Sequence, residues 1–425
     1  MGQPYQLPLV GLLLFALIPS QRCEICKVSK ENYFRLSPLM RTLINSKHNK
    51  VVQDANILLS LRLTGFQNVS LDQELIQELK GSVRKSGANL TSGCLALIML
   101  ALGACQNPNK AFRYEPNLIG HLESKFQAEI KNIENYGNPL TNYYQLSMDV
   151  LALCLFNGSY SVTEVSQLLS PKNKTYYFGD QFSVDTASMA VLALTCVKNS
   201  VTNGQMESII TSHIESLVKQ ILSEKKGGLI GNIYSTGGAM QALFVSSDYY
   251  NKREWDCQKT QDAILSEIPQ GVFSLPIAAA QVLPALMGKT YLDINRDSPC
   301  VYSSGDFHIS TQEPLPPTPT QSASDILVRY SVVINETYST SVTVPTGSVF
   351  LDVMEAAKKI NETVFRFKVV DSSWGPYVTS VQGLTANSNE RRYWELLSEG
   401  KPLSQGVGSY VVHDGENLEV RWSTY

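Results

Sequence analysis

The sequence is poor in charge and histidine and has no hydrophobic run long enough to cross a bilayer. Charged residues make up 17% of the 425-residue chain, and the formal net charge is −3. A protein that binds nucleic acid needs a cationic surface to displace counterions from phosphates. The apolar run over residues 7–18 falls short of the roughly 20 residues that a membrane span needs. We therefore expect neither nucleic-acid binding nor membrane insertion.

The apolar run at the start of the chain has the length of the hydrophobic core of a secretory signal. It predicts a signal peptide over residues 1–23 and a secreted mature protein. One feature departs from this pattern, because no Lys or Arg precedes Arg22. The alternative is a buried N-terminal helix, but three prolines interrupt such a helix.

In a secreted protein, Asn-x-Ser/Thr sequons are potential sites of N-glycosylation. Several Asn-x-Ser/Thr sequons lie in turn-like settings, where an oligosaccharide can be transferred to the asparagine. We expect a glycoprotein. The six acceptor positions are Asn68, Asn89, Asn157, Asn173, Asn335 and Asn361.

One pattern recurs between residues 50 and 290, a short aliphatic helical segment that ends in Leu-Ala-Leu or a close variant. It returns about every 40–50 residues, which is typical of arrays of helix pairs. Because six copies occur before the composition changes, we predict a closed α6/α6 barrel with the apolar helices inside. An open solenoid is the alternative. The last residues of the copies are Leu61, Leu102, Leu153, Leu194, Leu243 and Leu286.

A composition change near Ser303 marks the end of the repeats. Residues 304–324 hold four prolines among Ser and Thr and predict a flexible linker. Alternating apolar residues then predict strands over 326–334, 337–344, 363–370, 377–381 and 418–422, with one helix over 347–359. The predicted fold is mainly α with a smaller α+β domain: a barrel over 24–303, the linker, and a β-rich domain over 325–425.

The eight cysteines are enough for a few disulfides in an oxidising compartment. Cys154 and Cys196 lie near the same end of neighbouring repeats, so adjacent inner helices should bring them within disulfide reach. The repeat does not decide how Cys26, Cys105, Cys257 and Cys300 pair. Cys94 is left over if Cys23 leaves with the signal, and its apolar surroundings predict a buried small side chain.

The common catalytic motifs are missing. The sequence has no HExxH, no Walker loop, no GxGxxG after a strand and no Gly-x-Ser-x-Gly elbow, and its five histidines are scattered. Asp149 and Asp185 occupy equivalent places in neighbouring repeats, as the carboxylate pair of a toroidal glycosidase would. Both could instead lie at the N-terminal ends of inner helices, where the helix dipole favours carboxylates. We predict no catalytic residue and no metal site.

Neutral polar and aromatic residues concentrate at the predicted starts of the inner helices. In a barrel these positions line one rim of the central depression, and their amide, hydroxyl and phenol groups suit a large neutral ligand with many amides. Ordinary turn chemistry is the alternative for each residue alone. The barrel segments are 141–145, 183–186 and 232–236, with Gln281 in the last helix, and exposed aromatics follow at 373–377 and 393–397.

Four runs resemble the cobalamin transport protein family of haptocorrin, intrinsic factor and transcobalamin, and most of all its haptocorrin branch. They are LTNYYQLSMDVLALCLFNG (140–158), FSVDTASMAVLALTCV (182–197), SWGPYV (373–378) and YWELLSEGKPLSQGVGSYVV (393–412). The resemblance covers the whole mature chain. It implies an α6/α6 barrel and a smaller β-rich domain that clamp cobalamin and related corrinoids between them.

The resemblance also implies the binding residues. The barrel would hold the ligand's amides and its nucleotide side through Thr141, Tyr144, Gln145, Asp185, Asn232 and Gln281. The second domain would cover the upper face through Trp374, Gly375, Pro376, Tyr377, Trp394, Glu395, Leu396 and Leu397. The implied disulfides are Cys26–Cys257, Cys105–Cys300 and Cys154–Cys196.

Cobalt ligation is where the chain departs from part of this family. Transcobalamin offers a histidine to cobalt from the loop after the fourth inner helix, whereas residues 198–205 contain none here. We predict that no protein side chain ligates cobalt. The resemblance further implies a secreted monomer that is not an enzyme, with a glycan-recognising uptake receptor as a partner. The alternatives are a toroidal carbohydrate-active enzyme and an interaction protein that binds other proteins but no corrinoid.

Overall fold

A computed structural model of the chain describes most of both predicted domains. The described residues are 26–47, 50–66, 68–86, 89–104, 117–172, 174–178, 181–294, 325–372, 375–387, 390–403 and 405–424. The predicted signal peptide and the predicted linker lie outside these ranges. The domain boundaries at 23, 303 and 324 therefore stay predictions.

The N-terminal domain consists of alternating outer and inner helices. The outer helices are α1 (Ser37–Ile44), α3 (Val69–Ser86), α5 (Leu118–Tyr136), α7 (Val162–Leu168), α9 (Gly204–Ser223) and α11 (Cys257–Glu267). The inner helices are α2 (Val51–Thr64), α4 (Ser92–Gly103), α6 (Tyr143–Leu155), α8 (Val184–Ser200), α10 (Ser235–Val245) and α12 (Pro276–Leu286). Each of the six predicted aliphatic segments lies in one inner helix.

The inner helices form a closed ring. Each packs against the next along the chain, and α12 packs against α2. The Val28 N–H donates to the Leu286 carbonyl oxygen at 2.8 Å, which joins the start of the domain to its last inner helix. The predicted α6/α6 barrel is confirmed, and the open solenoid is excluded.

Burial explains why the inner and outer helices differ in composition. The inner helix α4 is buried along its whole length and is apolar on all sides. The outer helix α5 buries one stripe, with Leu122, Phe126 and Ile130 spaced four residues apart. Small residues such as Ala101 let the inner helices approach closely.

Two described disulfides connect parts of the barrel. Cys154–Cys196 joins the neighbouring inner helices α6 and α8, with a Cα–Cα distance of 6.2 Å. Cys26–Cys257 joins the first described residue to the start of α11. Both pairings were expected, whereas Cys105 and Cys300 lie outside the described residues. Cys94 is buried in α4, 1% exposed, as its apolar surroundings predicted.

The C-terminal domain is a β-rich unit with its own core. Its strands are β5 (Asp325–Val333), β6 (Thr337–Pro345), β7 (Phe367–Ser372), β8 (Gly375–Val381), β9 (Leu384–Thr385), β10 (Arg392–Ser398), β11 (Lys401–Pro402) and β12 (Asn417–Thr424). A five-stranded sheet has the order β11-β10-β12-β5-β6, and β12 and β5 are its parallel pair. A three-stranded sheet, β7-β8-β9, completes the domain. The shorter hairpins β1 (Tyr177–Phe178)–β2 (Gln181–Phe182) and β3 (Lys225–Lys226)–β4 (Leu229–Ile230) belong to the barrel.

One helix, α13 (Phe350–Ile360), packs on β5 and β6. The predicted strand over 363–370 is wrong in its first part, because α14 (Glu362–Phe365) is a short helix there. The Asn361 side chain starts α14 by accepting the Val364 N–H at 3.1 Å. The strand begins only at Phe367.

Candidate ligand-binding cleft

A cleft lies between the rim of the barrel and the C-terminal domain. Its empty space is about 1270 Å³, counted out to the open mouth. The second domain contributes Pro376, Gln405, Gly406, Gly408 and Ser409. The barrel contributes Lys50, Gln53, Tyr144, Asp185, Ser188, Met189, Leu192, Asn232, Tyr234, Gly238, Gln241, Leu275, Pro276, Ile277, Ala278, Gln281 and Tyr291. Amide, hydroxyl and phenol groups are thus mixed with aliphatic ones, and formal charge is confined to Lys50 and Asp185.

Asp185 lies in the first turn of α8. The Ser183 side chain accepts the Thr186 N–H at 3.2 Å, and this cap fixes where the helix begins. The Ser235 hydroxyl, from the first residue of α10, donates to Asp185 Oδ2 at 2.9 Å. Burial raises the pKa of Asp185 above the usual value for an aspartate. The carboxyl therefore joins two neighbouring inner helices at the cleft wall.

Asn232 is held by a turn that leads into α10. Its Oδ1 accepts the N–H groups of Tyr234 at 2.8 Å and Ser235 at 2.9 Å. The side-chain oxygen is thus committed to the turn, and the amide NH₂ is the group with donors for a ligand. Gly231 precedes it at a φ of 71°, and a Cβ there would lie 2.9 Å from Val184. Only glycine fits this approach without strain.

The polar helix starts contain both helix-capping residues and residues that line the cleft. Asn142 and Ser183 cap α6 and α8 with their side chains, which is ordinary turn chemistry. Tyr144, Asp185 and Gln281 line the cleft. Capping residues and cleft residues therefore alternate within the same short segments.

Thr141 and Gln145 lie beside this cleft without lining it. Glu129 of α5 accepts the Thr141 N–H at 3.0 Å and the Thr141 hydroxyl at 2.9 Å, and it also accepts the Ser92 hydroxyl at 2.9 Å. Gln145 is 2% exposed and packs so tightly on Gly93 that a Cβ there would lie 2.6 Å from its side chain. Thr141 is thus anchored by a buried carboxylate at the rim.

The carboxylate pair of the glycosidase interpretation does not come together in this cleft. Asp149 lies in the middle of α6, fully buried, so the expectation that it begins its helix is wrong. Burial, and then the charge of Glu129, raise the pKa of Asp149 well above its usual value. Asp185 does lie at the start of its helix and lines the cleft. The two aspartates therefore occupy different environments.

The C-terminal residues singled out by sequence are spread over several environments. Pro376 lines the cleft, and Tyr377 follows it in β8, 43% exposed. Burial, and then the charge of Glu129, raise the pKa of Tyr377. Gly375 opens β8, and Trp374 lies outside the described residues.

Trp394 does not line this cleft. The residue is 6% exposed, and the centroid of its ring lies 4.8 Å from that of Trp422. Its indole N–H donates to the Leu384 carbonyl oxygen at 3.3 Å. Pairing β10 with the centre of the sheet turns this ring into the domain core. Leu396 packs against the same core, and Leu397 is 1% exposed. Glu395 accepts the Ser423 hydroxyl at 3.0 Å.

The cleft also contains residues that the sequence interpretation missed. Gln241 forms part of the floor, and its Oε1 accepts the Tyr291 N–H at 3.0 Å. Burial raises the pKa of Tyr291 to about 12. Gln405, Gly406, Gly408 and Ser409 were also missed, although the Gly-x-Gly within the fourth resembling run was a signal for a close-packed turn.

The described residues include no group of three or more His, Cys, Asp or Glu side chains placed to hold a metal ion. His213 follows the loop examined for a cobalt ligand, and it lies on the outer helix α9 rather than on the cleft. Burial lowers the pKa of His213. Among the described helices, none is both long and apolar enough to span a membrane.

Comparison with known proteins agrees with this architecture. A sequence profile described as "Eukaryotic cobalamin-binding protein" matches residues 8–321, and one for a domain of unknown function, DUF4430, matches residues 347–424. Transcobalamin-1 of Homo sapiens is 61% identical over the full length of both chains. Transcobalamin-1 of Sus scrofa is 46% identical, covering 96% of this chain and 98% of its own.

Cobalamin binding intrinsic factor of Homo sapiens is 34% identical, covering 96% of this chain and 95% of its own. The crystal structure of haptocorrin in complex with Cbi superposes with a TM-score of 0.84 at 59% identity. That match covers 95% of this chain and 100% of that one. The resemblance found in the sequence is confirmed: the chain belongs to the eukaryotic cobalamin-binding protein family.

Proposed function

We propose that this protein binds and transports cobalamin and related corrinoids, held between its two domains. The observation that carries the proposal is the cleft itself, to which both domains contribute residues. A ligand enclosed there would contact both domains at once. The family relationship supports the same conclusion.

The chemistry of the cleft fits a large ligand whose periphery is rich in neutral amides. Asn232 offers amide donors, Gln281 offers both donors and an acceptor, and Tyr144 offers a phenol. The aliphatic residues Met189, Leu192 and Ile277 suit the apolar part of a macrocycle. Pockets of this kind bury most of a ligand and orient it with a few polar groups.

The proposed contacts of the barrel are Thr141, Tyr144, Gln145, Asp185, Asn232 and Gln281. Of these, Tyr144, Asp185, Asn232 and Gln281 line the cleft. On the second domain the proposal keeps residues 374–377 and 394–397, of which Pro376 lines the cleft. Ligand contact at Trp394 would require its ring to leave the core, so it is the weakest member of the set.

Two half-sites on one chain would make release of the ligand slow. The predicted linker over 304–324 keeps the second domain at an effective concentration on the order of millimolar, so that a modest second contact greatly slows ligand escape. Separating the domains should therefore weaken retention severely. An isolated barrel that kept cobalamin as long as the whole chain would contradict this mechanism.

Cobalt is carried without a bond from a protein side chain in this proposal. The loop between α8 and α9 has no histidine, and the cleft lining has none among the described residues. The absorption spectrum of the complex should match that of cobalamin without a protein imidazole. A spectrum showing imidazole from the protein on cobalt would contradict this part of the proposal.

We further propose that the protein is a secreted, monomeric glycoprotein without enzymatic activity, taken up by a glycan-recognising receptor. Asn89, Asn157, Asn335 and Asn361 are exposed, which leaves room for a glycan. Asn68 is half-buried and accepts the Leu71 N–H at 3.2 Å at the start of α3, so it is the least accessible described acceptor. Asn173 lies outside the described residues.

The direct test mixes purified protein with cyanocobalamin and follows the red absorbance through gel filtration. Wild type should carry the colour with the protein. Asn232→Ala should bind more weakly because it loses amide donors in the cleft. Asn251→Ala is the matched control, since Asn251 also caps a turn, accepting the Arg253 N–H at 2.9 Å, but lies outside the cleft.

A wild-type chain that did not retain the colour would refute the proposed function. A carbohydrate-active enzyme, the other candidate on a helical toroid, would show glycoside turnover that depends on Asp185. An interaction protein would bind protein partners and leave the corrinoid in the included volume of the column.

A further inference from the structure

One segment of the C-terminal domain, residues 405–410, reaches the cleft although no prediction pointed to it. Gln405, Gly406, Gly408 and Ser409 line the cleft together with the barrel residues. We propose that this segment, named here the cleft arm, hydrogen-bonds to neutral amide groups of the ligand and that Glu416 positions it. The inference deepens the proposed function and rests on it.

The cleft arm is a tight turn fixed to the start of α13. The Ser409 and Tyr410 N–H groups both donate to the Gly406 carbonyl oxygen, at 3.0 and 3.1 Å. Two N–H groups of the first turn of α13 donate back to the arm, Phe350 to the Tyr410 oxygen at 2.9 Å and Leu351 to the Val407 oxygen at 2.8 Å. The arm therefore has a defined backbone shape before any ligand arrives.

Glu416 joins the end of the arm to two strands. It is 8% exposed, and its Oε1 accepts hydrogen bonds from the Tyr410 hydroxyl and the Ser398 hydroxyl. Its Oε2 accepts the His413 N–H at 2.8 Å. Because one carboxylate holds β10, the turn before β12 and Tyr410 together, it fixes where the arm leaves the sheet.

The arm also touches the strand that carries the predicted covering residues. A Cβ on Gly408 would lie 2.6 Å from Pro376 Cγ and 2.8 Å from its Cδ. Gly408 thus lets the arm and the start of β8 approach closely at the cleft. A displacement of the arm would therefore be passed to Pro376.

The chemistry of the arm is neutral. It presents the Gln405 amide and the Ser409 hydroxyl and carries no formal charge. The Ser409 hydroxyl donates to the Gly406 carbonyl oxygen at 3.1 Å, so its oxygen is the part that can accept from a ligand. Such groups pair with neutral amides and leave no buried charge uncompensated. A side-chain amide can donate to one ligand amide while it accepts from another. This matches the amide-rich periphery of the ligand class proposed above.

The test measures how fast labelled cyanocobalamin leaves the full-length protein. Unlabelled cyanocobalamin is added in excess to prevent rebinding, at a temperature far below unfolding. Gln405→Ala should speed dissociation about three- to tenfold, the range for one or two neutral hydrogen bonds, without changing the melting temperature. Glu416→Ala should speed it at least tenfold. Glu416→Gln should fall between Glu416→Ala and wild type, because its amide oxygen still accepts one hydroxyl.

Glu399→Ala is the matched control. Glu399 also accepts from a neighbouring strand, taking the Asn417 N–H at 2.7 Å, but it does not hold the arm. This variant should release the ligand at the wild-type rate. If Glu416→Ala does not fold, Glu416→Gln and Gln405→Ala decide the question.

The outcomes separate this inference from the proposed function. A wild type that binds, with Gln405→Ala releasing ligand at the wild-type rate, overturns the contact. A Glu416→Ala protein that melts earlier but releases ligand at the wild-type rate overturns the positioning role. A wild type that binds no cobalamin overturns the proposed function and this inference with it.

Discussion

Replacing Glu129 with alanine should both destabilise the barrel and loosen the predicted ligand contact at Thr141. Glu129 is 2% exposed and accepts three hydrogen bonds from Ser92 and Thr141. Thr141 lies in the loop that joins α5 to α6, residues 137–142. Asn132, also on α5, donates to the Asn138 carbonyl oxygen at 2.8 Å and so holds the other end of this loop. Without Glu129 the loop keeps only that second attachment among these contacts.

The magnitude follows from what each donor can do afterwards. The Ser92 hydroxyl is 3% exposed and loses one buried hydrogen bond, but the Asp149 carboxyl beside it can still accept, so the loss is about 0.5–1.5 kcal/mol. The two donors of Thr141 are half-buried and can meet water, so each loses only about 0.5–1.5 kcal/mol. Relief of the repulsion between Glu129 and Asp149 offsets part of this loss. The sum is about 1–4 kcal/mol, or a fall in melting temperature of about 3–12 °C.

The assay is calorimetry on the ligand-free protein, followed by the rate of cyanocobalamin release. Release should be about tenfold faster, the effect of losing about 1.4 kcal/mol of binding. Glu123→Ala is the control on the same helix, since Glu123 accepts one hydrogen bond, from the Ser159 N–H at 2.6 Å. It should change stability by about 1 kcal/mol and leave release unchanged. Equal effects of the two variants would refute the reasoning.

Three further predictions concern the barrel. Arg62 is 2% exposed and donates to three carbonyls at the end of α4 as well as to Asp72, so Arg62→Met should lower the unfolding free energy in urea by about 3 kcal/mol. Asp72→Asn, which leaves those carbonyl contacts intact, should lose less, and equal losses would contradict the helix-end role. The raised pKa of Asp149 means that the folded state holds its proton to a higher pH than the unfolded state, so stability falls as pH rises through that interval. Asp149→Asn should therefore gain melting temperature relative to wild type as the pH rises above the usual pKa of an aspartate, and a difference independent of pH would contradict this. Removing the bridge with Cys154→Ser and Cys196→Ser should cost about 2–4 kcal/mol in urea unfolding, and an unchanged midpoint would contradict its stabilising role.

The barrel was predictable because its signal is repeated. Six aliphatic segments at a nearly constant spacing predict six equivalent helices, and the change of composition after them predicts where the array ends. The bridge between Cys154 and Cys196 follows from the same spacing, since neighbouring inner helices place equivalent positions side by side. Because the segments repeat, the local pattern also predicts which residues of neighbouring helices lie side by side.

The C-terminal domain was less predictable because its details depend on tertiary contacts. The apolar residues of 363–365 fit a strand as well as a helix, and the Asn361 cap decides for the helix. Trp394 looked like an exposed aromatic beside a turn, yet pairing of β10 with β12 carries its ring into the core.

The cleft likewise contains residues that the sequence pattern predicted and residues that it did not. Tyr144, Asp185 and Asn232 lie at or just before the starts of inner helices, where the repeat pattern points, and Gln281 lies within the last inner helix. The cleft arm belongs to no repeat and reaches the cleft through Glu416, which the sequence gives no reason to connect with it. Contacts between residues of different elements, such as Glu416 and Tyr410, can be identified only once the fold is known.

The closed ring sets the order in which the chain can be assembled during synthesis. Helix α2 needs α12 as its second neighbour, and Cys26 needs a partner that is made 231 residues later. At about 5–20 residues per second, the first inner helix waits roughly 10–50 s on the ribosome with one apolar side uncovered. The nascent barrel therefore keeps this apolar side exposed until α12 emerges, whereas the Cys26–Cys257 bridge can form as soon as the start of α11 has been made.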